Sequence, residues 1–140
     1  MREPFYWPVR VYWEDTDGGG IVYYANYLKF MERARTEWLR SFGLDQSRLA
    51  RERGLIFTIV EVQIEYRRPA RLDDELRVSC VAEAQGRASF AFRQEIVRVA
   101  GEGGRGGEEL IASARTRAAC LDRESLKPRP LPEELLNGLN

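Results

Sequence analysis

Histidine is absent from the sequence of 140 residues. With it go Ser-His-Asp and Cys-His mechanisms, His-ligated zinc and any imidazole acting as a general base. Any chemistry must come from carboxylates, hydroxyls, thiols, Lys and Arg side chains or backbone dipoles. Cysteine is nearly absent too. Cys80 and Cys120 stand far apart with no metal-ligand spacing around either, which fits reduced thiols in a cytoplasmic protein. No apolar run approaches the ~20 residues of a bilayer-spanning helix. The opening Met1-Arg2-Glu3-Pro4-Phe5-Tyr6-Trp7-Pro8 lacks the apolar core of a signal peptide. Net charge is absent as well: 22 basic residues balance 22 acidic ones. No global basic field points to nucleic acid, and no acidic excess points to disorder. Only two of the basic residues are lysine; the rest are arginine, the better bidentate partner for phosphate.

What is present fits one domain spanning residues 1–140. Its 44% hydrophobic residues can bury a core, and its 31% charged residues can cover it. Val9, Val11 and Trp13 alternate with polar neighbours as a half-buried first strand. From about Tyr24 to Phe42, apolar residues recur in steps of three and four (Tyr24, Tyr27, Leu28, Met31, Ala34, Trp38, Leu39, Phe42). This is one helical face, stopped by Gly43. A shorter polar helix spans roughly Asp45 to Arg53. Strand patterns follow: Ile56, Thr58, Val60, Val62, Ile64 and Tyr66 on one face; then Leu76 to Ala84; then Phe90 to Ile96 after a Gly86-Arg87 turn; then Leu110 to Cys120. The run from Gly101 to Gly107 is a flexible hairpin loop, and Glu133 to Leu139 a short helical end. The order β-α-β-β-β-β predicts an α+β layer with a five-stranded antiparallel sheet over one long helix. One helix leaves sheet edges and the second face uncovered, which predicts self-association.

The chemistry gathers at one junction. The strand runs into Glu14-Asp15-Thr16-Asp17, three glycines follow, and the long helix opens after Ile21-Val22-Tyr23. This brings carboxylates close to a helix N-terminus with its unpaired N–H groups. Such a pairing suits reaction at a carbonyl, where the N–H groups hold an oxyanion while the carboxylate attacks or activates water. An ordinary strand–turn–helix junction, with Asp15 and Asp17 as turn residues, satisfies the same spacing. The glycine turn is too short for a dinucleotide fingerprint and lacks the lysine of a phosphate loop. As a calcium loop it fails at its fifth and twelfth positions, Gly19 and Asn26.

Three segments carry a family resemblance. They are Trp7 to Asp17 (WPVRVYWEDTD) with Gly20-Ile21-Val22-Tyr23 and Glu32-Arg33-Ala34-Arg35-Thr36-Glu37; Pro69-Ala70-Arg71-Leu72-Asp73-Asp74; and Leu126-Lys127-Pro128-Arg129. They resemble the 4-hydroxybenzoyl-CoA thioesterase branch of the hotdog superfamily, and within it the acyl-CoA thioesterases associated with the Tol-Pal system. The resemblance implies a curled sheet wrapped around the central helix and hydrolysis of acyl-CoA without metal or cofactor. It implies homodimers that often pair into homotetramers, with the active site across the dimer interface. By position, Asp17 matches the catalytic carboxylate, as nucleophile or as base for a water, and the Tyr24 N–H matches the group that polarises the thioester carbonyl. Val22, Tyr23 and Thr58 fall on the substrate pocket, and Arg87 where CoA phosphates are held. Asp15 is a structural partner of the turn. Relatives of the Tol-Pal group commonly carry His at the place of Tyr24, so only a backbone role carries over there.

An acyl carrier protein is a further partner that the resemblance brings with it, together with a role in lipid metabolism. A second reading is a hotdog module that binds acyl-CoA or an acyl carrier protein without hydrolysis, against which the intact Asp17 speaks. A hotdog dehydratase would need a His that this chain lacks. Glu32 reads as a surface ion-pair residue. Arg67, Arg68 and Arg71 either cap a strand end against Asp73 and Asp74 or meet phosphates. The aromatics occupy core-periodic positions, which excludes an exposed stacking face for single-stranded nucleic acid.

Overall fold

The computed structural model describes residues 3–99 and 108–139; the Gly101–Gly107 loop lies outside the described residues. Five antiparallel strands, β1 (Phe5–Arg10), β2 (Leu55–Tyr66), β3 (Glu75–Ala84), β4 (Ser89–Arg98) and β5 (Glu109–Asp122), form one sheet in the order β1-β3-β4-β5-β2. The long helix α1 (Asn26–Arg40) lies along its inner face, and α2 (Gln46–Arg53) and α3 (Glu133–Leu136) are short. Among the described residues no helix is long and apolar enough to cross a membrane.

The inner stripe of α1 is Tyr27, Phe30, Met31, Ala34, Trp38 and Leu39. Its first half packs with Val9, Leu76, Val78, Ile96 and Ile111. Its second half packs with Cys80, Ala82, Phe90, Phe92, Ala118 and Cys120. Each fully buried large side chain here contributes about 1.5–3 kcal/mol, so the stripe, more than helix propensity, holds α1 on the sheet. The helix is shorter at both ends than its periodicity predicts. Tyr24 and Leu28 are exposed, whereas Phe30 is fully buried.

Two strand readings are corrected. The first strand does not reach Trp13: the chain leaves the sheet after Arg10 and makes a 3-10 turn over Trp13–Asp15, which leaves Trp13 80% exposed. The Asp15 carboxylate accepts the Tyr12 N–H at 2.8 Å, a local bond that competes with the ladder. The long alternation of β2 is broken by a bulge between Ile59 and Glu61. Before it, Leu55 and Phe57 face the helix; after it, Ile64 does. One extra residue exchanges the faces of a strand. Thr58 therefore pairs with Ala119 on the outer side. β2 is an edge strand, and its Ile59, Val60 and Val62 remain exposed.

Elsewhere, local signals read from the sequence match the structure. Asp45 caps α2 by accepting the Arg48 N–H at 3.1 Å, and Gly54 closes it in the left-handed region. The Leu126–Arg129 segment fastens this corner. The Arg129 guanidinium donates to the Arg53 carbonyl at 3.1 Å and meets Asp122 at 3.3 Å.

Candidate active site

The junction between β1 and α1 is a small hairpin closed by a bridge between Thr16 and Val22. Inside it the Asp17 N–H donates to the Ile21 carbonyl at 2.9 Å, and the Gly20 N–H returns to the Asp17 carbonyl at 3.1 Å. Gly20 turns at φ 78°, where glycine alone pays no steric cost. The Asp17 side chain is exposed; Oδ1 accepts the Gly19 N–H at 2.8 Å, and Oδ2 has no partner among the described residues.

Asp15 is the anchor of this hairpin. It is buried, and its carbonyl accepts both the Tyr23 N–H at 3.0 Å and the Asn26 side-chain amide at 2.8 Å. These bonds hold the start of α1 against the turn. The Tyr23 carbonyl accepts the Asn26 N–H at 2.8 Å, whereas the Tyr24 N–H has no partner among the described residues. Among the described residues, the hairpin thus carries an unpaired carboxylate oxygen, and the helix start just after it an unpaired N–H. The arrangement offers a nucleophile or base together with an oxyanion donor.

The Tyr24 side chain joins an exposed aromatic shelf. Its ring lies 4.9 Å from Tyr23 and 6.1 Å from Tyr66 between centroids, and the Tyr66 hydroxyl donates to its carbonyl at 3.3 Å. The neighbouring Tyr24 phenol raises the Tyr23 pKa above the ordinary tyrosine value. Tyr27 lies beneath. Its hydroxyl accepts the Ala70 N–H at 3.0 Å, and burial raises its pKa.

The other residues picked from the sequence lie apart. Val22, expected on the substrate side, turns into the core at 3% exposure, and its N–H donates to the Ala70 carbonyl at 2.8 Å in the Ile21–Arg71 bridge. Thr58 is half-buried near the start of β2, eight residues from Tyr66 and so about 26 Å along the strand from the Tyr24 corner. Arg87 is exposed in the β3–β4 turn, while the Asp17 hairpin adjoins the opposite end of β3, about 30 Å away. One chain thus holds two groups of candidates: Asp17 with Tyr23 and Tyr24, and Thr58 with Arg87. Arg67 and Arg68 pair with Glu65 and Glu109. Asp74 is met by Arg98 at 2.9 Å and by the Arg71 N–H at 2.8 Å.

The sequence reading passed over a polar pair under α1. Gln94, 2% exposed, donates to the Met31 carbonyl at 2.9 Å and accepts from the Arg35 guanidinium at 3.1 Å. The signal was present, since Gln94 sits in phase with Phe90, Phe92 and Ile96 on the inward side of β4. A hollow of about 1020 Å³ touches Ser79, Arg93 and Arg115 and none of the residues of the Asp17 hairpin.

The sequence model of the thioesterase-like superfamily matches residues 11–139. The chain belongs to that superfamily. This thioesterase is 41% identical over 132 residues to "Acyl-CoA thioester hydrolase YbgC" of Escherichia coli O6:H1, covering 94% of this chain and 92% of that one. It is equally similar to "Acyl-CoA thioesterase YbgC" of Haemophilus influenzae, at 41% with 94% and 90% covered. In structure it superposes on a 1,4-dihydroxy-2-naphthoyl-CoA thioesterase from Synechocystis with a TM-score of 0.86. That match has 26% identity over 98% of this chain and 96% of the other. Its fold is the hotdog fold, the α+β class read from the sequence.

Proposed function

We propose that this thioesterase hydrolyses acyl-CoA to a free acid and CoA, with Asp17 as the reacting carboxylate and the Tyr24 N–H as the oxyanion donor. The observation that supports the reading is the Thr16–Val22 hairpin, where among the described residues an Asp17 oxygen lacks a partner and the chain runs on to a Tyr24 N–H that lacks one too. The thioester oxygen accepts the Tyr24 N–H, which draws charge from the carbonyl carbon. In one course, Asp17 Oδ2 adds to that carbon, the C–S bond breaks, and CoA leaves as thiolate. Water then hydrolyses the mixed anhydride and restores the carboxylate. In the other, Asp17 takes a proton from a water that adds directly. Both courses dispense with histidine, because a thiolate leaves without strong acid assistance.

The spread of candidates within one chain supports a site shared by two. Antiparallel pairing of two β2 edges around Val62 would set Thr58 of one chain opposite Tyr66 of the other. Thr58 and Arg87 would then approach the Asp17 hairpin of the second chain, with Arg87 on the CoA phosphates. The exposed Ile59, Val60 and Val62 on a twelve-residue edge strand support such pairing. A panel of short, medium, long and aromatic acyl-CoAs with free-thiol detection, run beside light scattering, tests the reading. Turnover by a dimer or tetramer is expected. Tight acyl-CoA binding with no thiol released would instead favour a binding module.

A further inference from the structure

We infer that the cavity between α1 and the β2–β5–β4 part of the sheet receives the acyl group, and that Arg35 on its wall selects short acyl groups ending in a carboxylate. The inference rests on the hydrolase reading above and adds to it a substrate class. The cavity holds about 190 Å³. Its apolar wall includes Leu39, Phe57, Phe90, Phe92 and Ala118, with Phe57 and Phe90 edge to face at 5.5 Å. A cavity of roughly 150 Å³ accepts a benzene ring, so this one fits a five-carbon chain with a polar end. Its roof is Phe57 and Ile59, the two neighbours of Thr58. In the shared site that stretch is where the partner's thioester arrives, so the acyl group enters beside Phe57 and Ile59 and its far end points to α1.

At α1 it meets a half-buried cation, Arg35, that forms no ion pair among the described residues. The Arg35 guanidinium lies 5.7 Å from the Phe92 ring centroid and spends one N–H on Gln94 Oε1. Among the described residues its other N–H groups have no acceptor, and no carboxylate stands within ion-pair distance. Glu32, also on the cavity, is exposed, and its Oε1 accepts the Thr36 hydroxyl at 2.7 Å. Burial already holds Arg35 below the usual arginine range, a sign that its charge has lost water that Cys80 and Glu32 nearby only partly offset. A cation that has given up part of its water gains from a paired anion. A guanidinium with several free donors fits a carboxylate bidentately, which a methyl-ended chain cannot satisfy. Gln94, fixed between Met31 and Arg35, holds the guanidinium in place.

The test compares glutaryl-CoA with pentanoyl-CoA, which share five carbons and differ in a terminal carboxylate or methyl. The wild-type enzyme is expected to favour glutaryl-CoA by at least ~10-fold in kcat/KM. Arg35→Met should lower kcat/KM on glutaryl-CoA by roughly 10–100-fold, the range of a charged hydrogen bond, and lower it on pentanoyl-CoA far less. Arg35→Lys should restore part of the preference. A wild-type preference for pentanoyl-CoA or 4-hydroxybenzoyl-CoA, or an equal loss on both five-carbon substrates in Arg35→Met, overturns the inference. Calorimetry on the Asp17→Asn protein reads the same preference as binding, without turnover. Preference in binding but no hydrolysis by the wild type sinks the hydrolase reading and keeps the chamber; no preference in either measurement sinks the chamber alone.

Discussion

Tyr27→Phe removes one oxygen from the floor of the candidate site. Tyr27 is 3% exposed, and its hydroxyl is the acceptor for the N–H of Ala70, itself fully buried. Phenylalanine fills the same space but leaves that N–H without an acceptor. A buried donor left unsatisfied costs about 1–3 kcal/mol. For a chain of this size each kcal/mol moves the thermal midpoint by about 3–5 °C, so a fall of roughly 3–15 °C is expected. Calorimetric scans at one fixed protein concentration measure it, because oligomer stability varies with concentration. Tyr66→Phe is the control: its hydroxyl makes a 3.3 Å bond from an exposed ring, and its loss should cost under ~0.5 kcal/mol. The pH dependence adds a second reading. Burial raises the Tyr27 pKa, so its contribution is complete below the unfolded value near ~10 and is lost as pH rises through the folded value. The phenylalanine variant should lack that alkaline loss. A Tyr27→Phe midpoint within a degree of wild type would refute the assignment of Tyr27 as the acceptor that secures Ala70, and through it Val22.

Arg87→Ala should raise KM for acyl-CoA far more than it lowers kcat, by about 1–3 kcal/mol for a charged hydrogen bond to phosphate; a short thioester without the nucleotide should be nearly indifferent, and equal losses on both would assign Arg87 to folding. Cys80, 1% exposed with its thiol pushed up to about 12, should resist alkylation of the native protein at pH 8, whereas rapid labelling would contradict its burial. Its stabilising share is present below the unfolded thiol pKa of ~8.5 and is lost as pH climbs toward the folded value, so Cys80→Ala should flatten that loss.

Much of this was legible in the sequence, because local patterns and global packing agree over most of the chain. The α1 stripe, the inward alternation of β3 and the Asp45 and Gly54 caps are set by residues within a turn or two of one another. What escaped depended on contacts or insertions that period-counting does not register. Trp13 reads as the next inward residue of β1 until the Asp15 carboxylate captures the Tyr12 N–H and bends the chain out of the sheet. Thr58 reads as sharing a face with Ile64 until the bulge after Ile59 exchanges the faces. Phe30, three residues from Tyr27, joins the buried face that the apolar steps from Tyr24 trace without it. Gln94 was in phase with the core but was skipped as polar, and its meaning appears only with Met31 and Arg35 beside it. The Asp17 hairpin, by contrast, was readable because its glycines, its carboxylates and the helix start are neighbours in the chain. How Thr58 and Arg87 relate to it was not readable, since in one chain they stand at the far end of the sheet.

The most direct test of the account is the turnover of Asp17→Asn. Asparagine keeps the size of the side chain and can still accept the Gly19 N–H, so the hairpin should persist. With an acyl-CoA that the wild type cleaves, kcat should fall by at least ~10²-fold, the low end for loss of a general base. The thermal midpoint and acyl-CoA affinity should stay near wild type. Because the chain has no histidine, no imidazole limb should mark the wild-type pH profile near ~6.5. An Asp17→Asn enzyme that turns over at the wild-type rate would contradict the account and move the search for the reacting carboxylate to Glu32 on α1.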